Sequence, residues 1–96
     1  MTEIIMLDKA GAFAENKEVA RDLRLKLILP ALAKGEEVTL DFAGVTGATQ
    51  SFIHALISDL FRQYGVDVLD RVTFKNCTER VRKIIEIVSE YMQESL

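Results

Sequence analysis

Cysteine, histidine and proline each occur once in the 96 residues, and each scarcity narrows what the chain can do. The lone Cys77 leaves no intrachain disulfide and no cysteine metal cluster. With a single histidine as well, no local motif supplies the ligands of a zinc site. An excess of basic charge is also missing. The formal net charge of −3 argues against nucleic acid, whose binding normally demands a basic face. No apolar run approaches the ~20 residues that span a bilayer. The opening segment MTEIIMLDKA lacks the cationic n-region and long apolar h-region of a signal peptide. The expectation is a cytoplasmic protein with no cofactor, no membrane and no nucleic-acid partner.

What is present is a globular balance, 49% hydrophobic and 28% charged, well outside the disordered class. A chain of this length forms one domain, residues 1–96, and buries roughly 65% of its unfolded surface. Cys77 reads as a small packing residue near a helix start, with a reactive thiol as the alternative.

Apolar periodicity orders the elements. Glu3 to Leu7 is a first strand, followed by a small-residue loop, Ala10 to Glu15. Asn16 is the expected N-cap of a helix running to about Lys34, with Glu18 in its first turn. Pro30 should kink or break that helix, and Gly35 should end it. Leu25, Ile28, Leu29 and Leu32 spread apolar surface far round it. Either both sides are buried or part of the surface meets a second chain, a homodimer. Lys17, Arg21 and Arg24, interspersed with acids, read as a solvated face.

Glu37 to Phe42 is the second strand, with Val38, Leu40 and Phe42 on one side and Thr39 and Asp41 on the other. Ala43 to Ala48 turns through Gly44 and Gly47, whose freedom suits unusual backbone angles. The clearest helix follows, with Ile53, Leu56, Ile57, Leu60, Phe61 and Tyr64 in one stripe, ended by Gly65. Arg71 to Lys75 is a third strand. Asn76 to Glu79 has the spacing of a capping box. The last helix puts Val81, Ile84, Ile85, Val88 and Met92 on one face and should fray over Gln93 to Leu96. The order β-α-β-α-β-α predicts a small α/β sandwich, with a three- or four-stranded, mainly parallel sheet packed by helices.

The most informative run is LDFAGVTGATQSF, Leu40 to Phe52. It combines a buried strand, a glycine turn and a hydroxyl-bearing helix start, a junction suited to presenting a loop to a phosphate or a partner. Thr49 and Ser51 can bond the free N–H groups of the helix start. Alternatively, Ser51 contacts or accepts a phosphate. Asp41 can cap the turn or meet a partner. His54 lies three residues beyond Ser51, close enough for a nucleophile–base pair, but no third catalytic group or nucleophile elbow accompanies them. No nucleotide-loop pattern is present.

The same run resembles the signature of STAS domains, the fold of anti-sigma factor antagonists, whose core reads roughly L-D-L-S-G-V-T-F-I-D-S-S-G. A gapless overlay matches Leu40, Asp41, Gly44, Val45, Thr46 and Ser51. The chain is more similar still to STAS-like domains of unknown function, which share a V-x-L-D-F-x-G-V run (Val38 to Val45), a T-x-S-F helix start (Thr49 to Phe52) and an x-F-x-N strand exit (Thr73 to Asn76). The likeness extends from about Val19 to Tyr91.

In phosphorylated antagonists an Asp-Ser pair opens the helix. Here Thr49 and Gln50 occupy those places, and Phe52 replaces a small glycine. The resemblance implies a non-catalytic regulatory module in bacteria or archaea. It would bind a histidine-kinase-like ATPase or an anti-sigma-type regulator through Gly44 to Phe52 and the adjoining helix. The alternatives are a small-ligand, nucleotide or phosphate sensor at Ser51 and a hydrolase using Ser51 and His54.

Overall fold

Three short parallel strands make the central sheet of the computed structural model, which describes residues 1–95. Strands β1 (Thr2–Ile5), β2 (Phe13–Ala14), β3 (Val38–Asp41), β4 (Gly47–Ala48) and β5 (Val72–Lys75) alternate with helices α1 (Met6–Ala10), α2 (Lys17–Leu23), α3 (Leu29–Ala33), α4 (Gln50–Tyr64) and α5 (Glu79–Ser95). The main sheet has order β1-β3-β5, with Thr2, Val38 and Val72 in register, while β2 and β4 form a small parallel pair beside it. The mixed α/β architecture is the one its sequence predicts.

Alternation along the strands gives the sheet two unlike faces. Ile4, Val38, Leu40, Phe42 and Val72 are buried. The opposite row exposes Glu3, Ile5, Thr73 and Lys75 on the outer strands, while Thr39 in the central strand is buried and Asp41 half-buried; Lys75 pairs with Glu3 at 3.5 Å. The helical layer therefore covers the first face. At its centre α4 packs against both α2 and α5 and buries Phe52, Ile53, Leu56, Ile57, Leu60 and Phe61. Gly65 ends α4 at φ +72°, a left-handed conformation that a side chain disfavours.

Several boundaries differ from the sequence expectation. The first strand stops at Ile5 rather than Leu7, because Met6 turns into α1 and is wholly buried. The loop from Ala10 to Glu15 contains β2, whose pairing with β4 no local pattern announces. The long second helix is neither simply kinked nor broken at Pro30. It widens just before the proline into a π-helical segment, Arg24–Ile28, where the Leu29 N–H reaches back five residues to the Arg24 carbonyl. Proline lacks a donor and crowds the preceding turn, and a π-bulge is one way a helix absorbs such a conflict. The leucine surplus is largely absorbed by the core: Ile28 and Leu32 are buried, Leu29 is half-buried and Leu25 is exposed.

Arg24 departs from the expected solvated face. Its Nη1 donates to the Ala55 carbonyl at 2.6 Å and its Nη2 lies 3.5 Å from Asp59, tying the π segment to α4. Asn16 caps α2 as expected, accepting from the Glu18 and Val19 N–H groups. Asn76 does not cap α5. Thr78 does so, through its Oγ1 and the Val81 N–H, while Asn76 takes a left-handed φ of +59°. Helix α5 continues through the stretch expected to fray, up to Ser95; Leu96 lies outside the described residues. Among the described residues, no helix is long and apolar enough to cross a membrane.

Candidate functional site

The turn between β3 and α4 is built on Asp41. Its Oδ1 accepts the Ala43 N–H at 2.9 Å and an Asn76 Nδ2–H at 3.0 Å, so one carboxylate oxygen joins the exits of β3 and β5. The Ala43 N–H, then Asn76, then nearby Lys75 favour the ionised form and hold its pKa below the ordinary aspartate value. A lowered folded-state pKa gives stability that is present above the unfolded value of about 3.9 and is lost as pH falls through the folded one. Asp41→Asn keeps an acceptor but removes that charge. The stability gap between wild type and Asp41→Asn should therefore be full at neutral pH and shrink on acidification below about pH 4. Urea unfolding at both pH values checks this, and a gap that stays constant would sink it.

Beyond Asp41 the chain is held by the neighbouring segment. Thr46 donates its N–H and Oγ1–H to the Ala12 carbonyl at 2.8 and 3.1 Å, and the Thr49 N–H reaches Ala14 at 2.9 Å. The two glycines of the turn have different reasons for being small. Gly44 adopts φ +82°, and Leu7 lies over it. Gly47 takes no left-handed φ; it is small because Phe13 lies over it, with ring atoms 2.9 Å from where a Cβ would stand. Leu7 and Phe13 themselves remain 39% and 50% exposed. The turn thus carries two apolar side chains on its outer surface.

At the helix start Thr49, not Ser51, is the N-cap, with Oγ1 accepting the Phe52 N–H at 3.1 Å. Gln50 and Ser51 occupy the first two helical positions and are exposed, whereas Phe52 is wholly buried. Gln50, Ser51 and His54 line an open hollow with Lys17 and Ala55. No hydrogen bond joins Ser51 to His54, whose ring instead lies 6.5 Å from that of Tyr91. Cys77 is half-buried, and that burial raises its thiol pKa. Among the described residues, no group of three or more His, Cys, Asp or Glu side chains is placed to hold a metal ion.

The structure brings Asp41, Gly44, Thr49, Gln50 and Ser51 to the surface of one turn, buries Gly47 beneath Phe13 and sends Phe52 inward. Leu7 and Phe13 are the residues of this surface that sequence reasoning missed. A contact over a distant glycine leaves no local signal.

A three-stranded parallel sheet packed by helices, with a glycine turn after its central strand, is consistent with a STAS-like fold. The chain belongs to the family of STAS-like domains of unknown function (DUF4325), whose model matches residues 19–82, about two thirds of its length. No curated protein and no solved structure gives a match. The matched span includes the β3–α4 turn and β5 but begins after Leu7 and Phe13.

Proposed function

We propose that the domain is a non-catalytic regulatory module that binds a protein partner through Gly44 to Phe52 and the first turns of α4. The partner class is a histidine-kinase-like ATPase or an anti-sigma-type regulator, by analogy with STAS switches. The observation that carries the reading is the half-exposed Phe13 seated over Gly47, with Leu7 over Gly44 beside it. Exposed apolar side chains of α1 and β2, held over a turn by the packed scaffold, suit recognition. Exposed Thr46, Gln50 and Ser51 supply a polar rim. Asp41 shapes the turn, Thr49 starts the helix, and Phe52 anchors the assembly from beneath.

Affinity capture from the native cytoplasm with wild type and Ser51→Asp tests this proposal. Retention of a histidine-kinase-like ATPase or an anti-sigma-type protein by wild type, and its loss with Ser51→Asp, is the expected result. A folded wild type that captures neither class overturns it. Stabilisation by orthophosphate in a thermal melt would then move the anion-sensor reading ahead, since Lys17 shares the hollow with Ser51.

A further inference from the structure

Helix α5 uses one face for the core, where Val81, Ile85, Val88 and Met92 are buried. A second face, at similar helical spacing, looks outward. Its middle is apolar: Ile84 is half-buried, Ile87 is 48% exposed, and Tyr91 is 60% exposed while resting against His54. At the N-terminal end of that stripe stand Arg80 and Lys83, and at the C-terminal end Glu90 and Glu94, all exposed. Among the described residues, none of these four charges has an ion-pair partner.

This order of charge runs against the helix macrodipole, which favours acids near the N-terminus and bases near the C-terminus. Glu79 is the one acid in the first turn. The same order is self-complementary under a two-fold rotation. If two α5 helices lie antiparallel with Ile87 against its own copy, Arg80 comes opposite Glu94 of the partner subunit. Lys83 then comes beside Glu90 and Tyr91 of the partner subunit. Both ends are satisfied at once, about 21 Å apart at 1.5 Å per residue. An isologous interface needs this symmetry, one patch with both signs disposed about an apolar centre. An unrelated partner does not require it.

We propose that the outer face of α5 is a homodimer interface, in which two copies of this chain pair antiparallel through Ile84, Ile87 and Tyr91 with their charged ends crossed. The assembly does not depend on the partner proposed for the turn.

Two reversed proteins test the pairing, one carrying Arg80→Glu and Lys83→Glu, the other Glu90→Lys and Glu94→Lys. Each reversed protein presents like charge at both ends of the interface when it meets its own copy. A one-to-one mixture restores opposite charges at both ends. Sedimentation equilibrium across a concentration series should show a dimer for wild type, weaker at high salt. Each reversed protein alone should be monomeric, and the mixture should form a heterodimer. Recovery in the mixture also excludes misfolding as the cause of the loss. A monomeric wild type at every concentration, a dimer that survives either reversal, or a mixture that stays monomeric would each overturn the proposal.

Discussion

Phe52→Ala should cost about 3–5 kcal/mol of stability, a large fraction of what holds a small domain folded. Phe52 is wholly buried at the third position of α4, among the largest side chains of the core. Deleting its ring forfeits both the transfer free energy of the apolar surface and the packing around the cavity left behind. At roughly 4–8 °C per kcal/mol for a domain of this size, the melting temperature should fall by roughly 12–40 °C.

Urea unfolding should show a lower midpoint at an unchanged m-value. A loss below about 1 kcal/mol would mean that Phe52 is not packed as described. Ser51→Ala, one residue earlier and exposed, should stay within about 0.5 kcal/mol. The contrast separates a buried residue that supports the turn from an exposed one beside it. Where the STAS pattern has a small glycine, this chain thus places a core aromatic, with the surface chemistry left to its neighbours.

Arg71→Ala should destabilise the domain by about 2–3 kcal/mol. The guanidinium Nη2 donates to the Leu32 carbonyl at 2.6 Å and to the Glu36 carbonyl at 3.4 Å. The cation also lies 5.4 Å from the centre of the Tyr64 ring. Helix α3 ends beside Leu32, whose carbonyl also accepts the Gly35 N–H at 3.0 Å, and the dipole there favours a cation. One arginine thus closes the end of α3, stacks on the end of α4 and sits at the entrance to β5.

Arg71→Lys should recover only part of the loss, since an ammonium cannot combine the planar fork with stacking on the ring. Thermal melts of the three proteins decide the point. Equal stability of Arg71→Lys and wild type would show that the charge alone is what matters.

Much of the site was legible before the structure. The V-x-L-D-F run placed the central strand, and the D-F-x-G turn marked Asp41 as a residue that bonds a nearby N–H, as it does to Ala43. Thr49 and Ser51 were both candidates for the helix start, and only geometry separated cap from exposed neighbour. The reason for Gly47 was not legible. Its smallness answers Phe13, more than thirty residues earlier, rather than a backbone angle.

The sequence by itself determined the order of the three main strands and the three long helical stretches, the stripe of α4, the buried face of α5 and the Asn16 cap. Each follows from periodicity or from hydrogen bonds spanning a few residues, which adjacent side chains specify. Only the tertiary structure decided the β2–β4 pairing, the aromatic and leucine lids over the turn, and the arginine ties. Arg24 reaches Ala55 and Arg71 reaches Leu32 across 31 and 39 positions of chain. Such contacts depend on how completed elements pack, and side chains that alternate innocuously along the chain carry no local mark of the partners that packing brings to them.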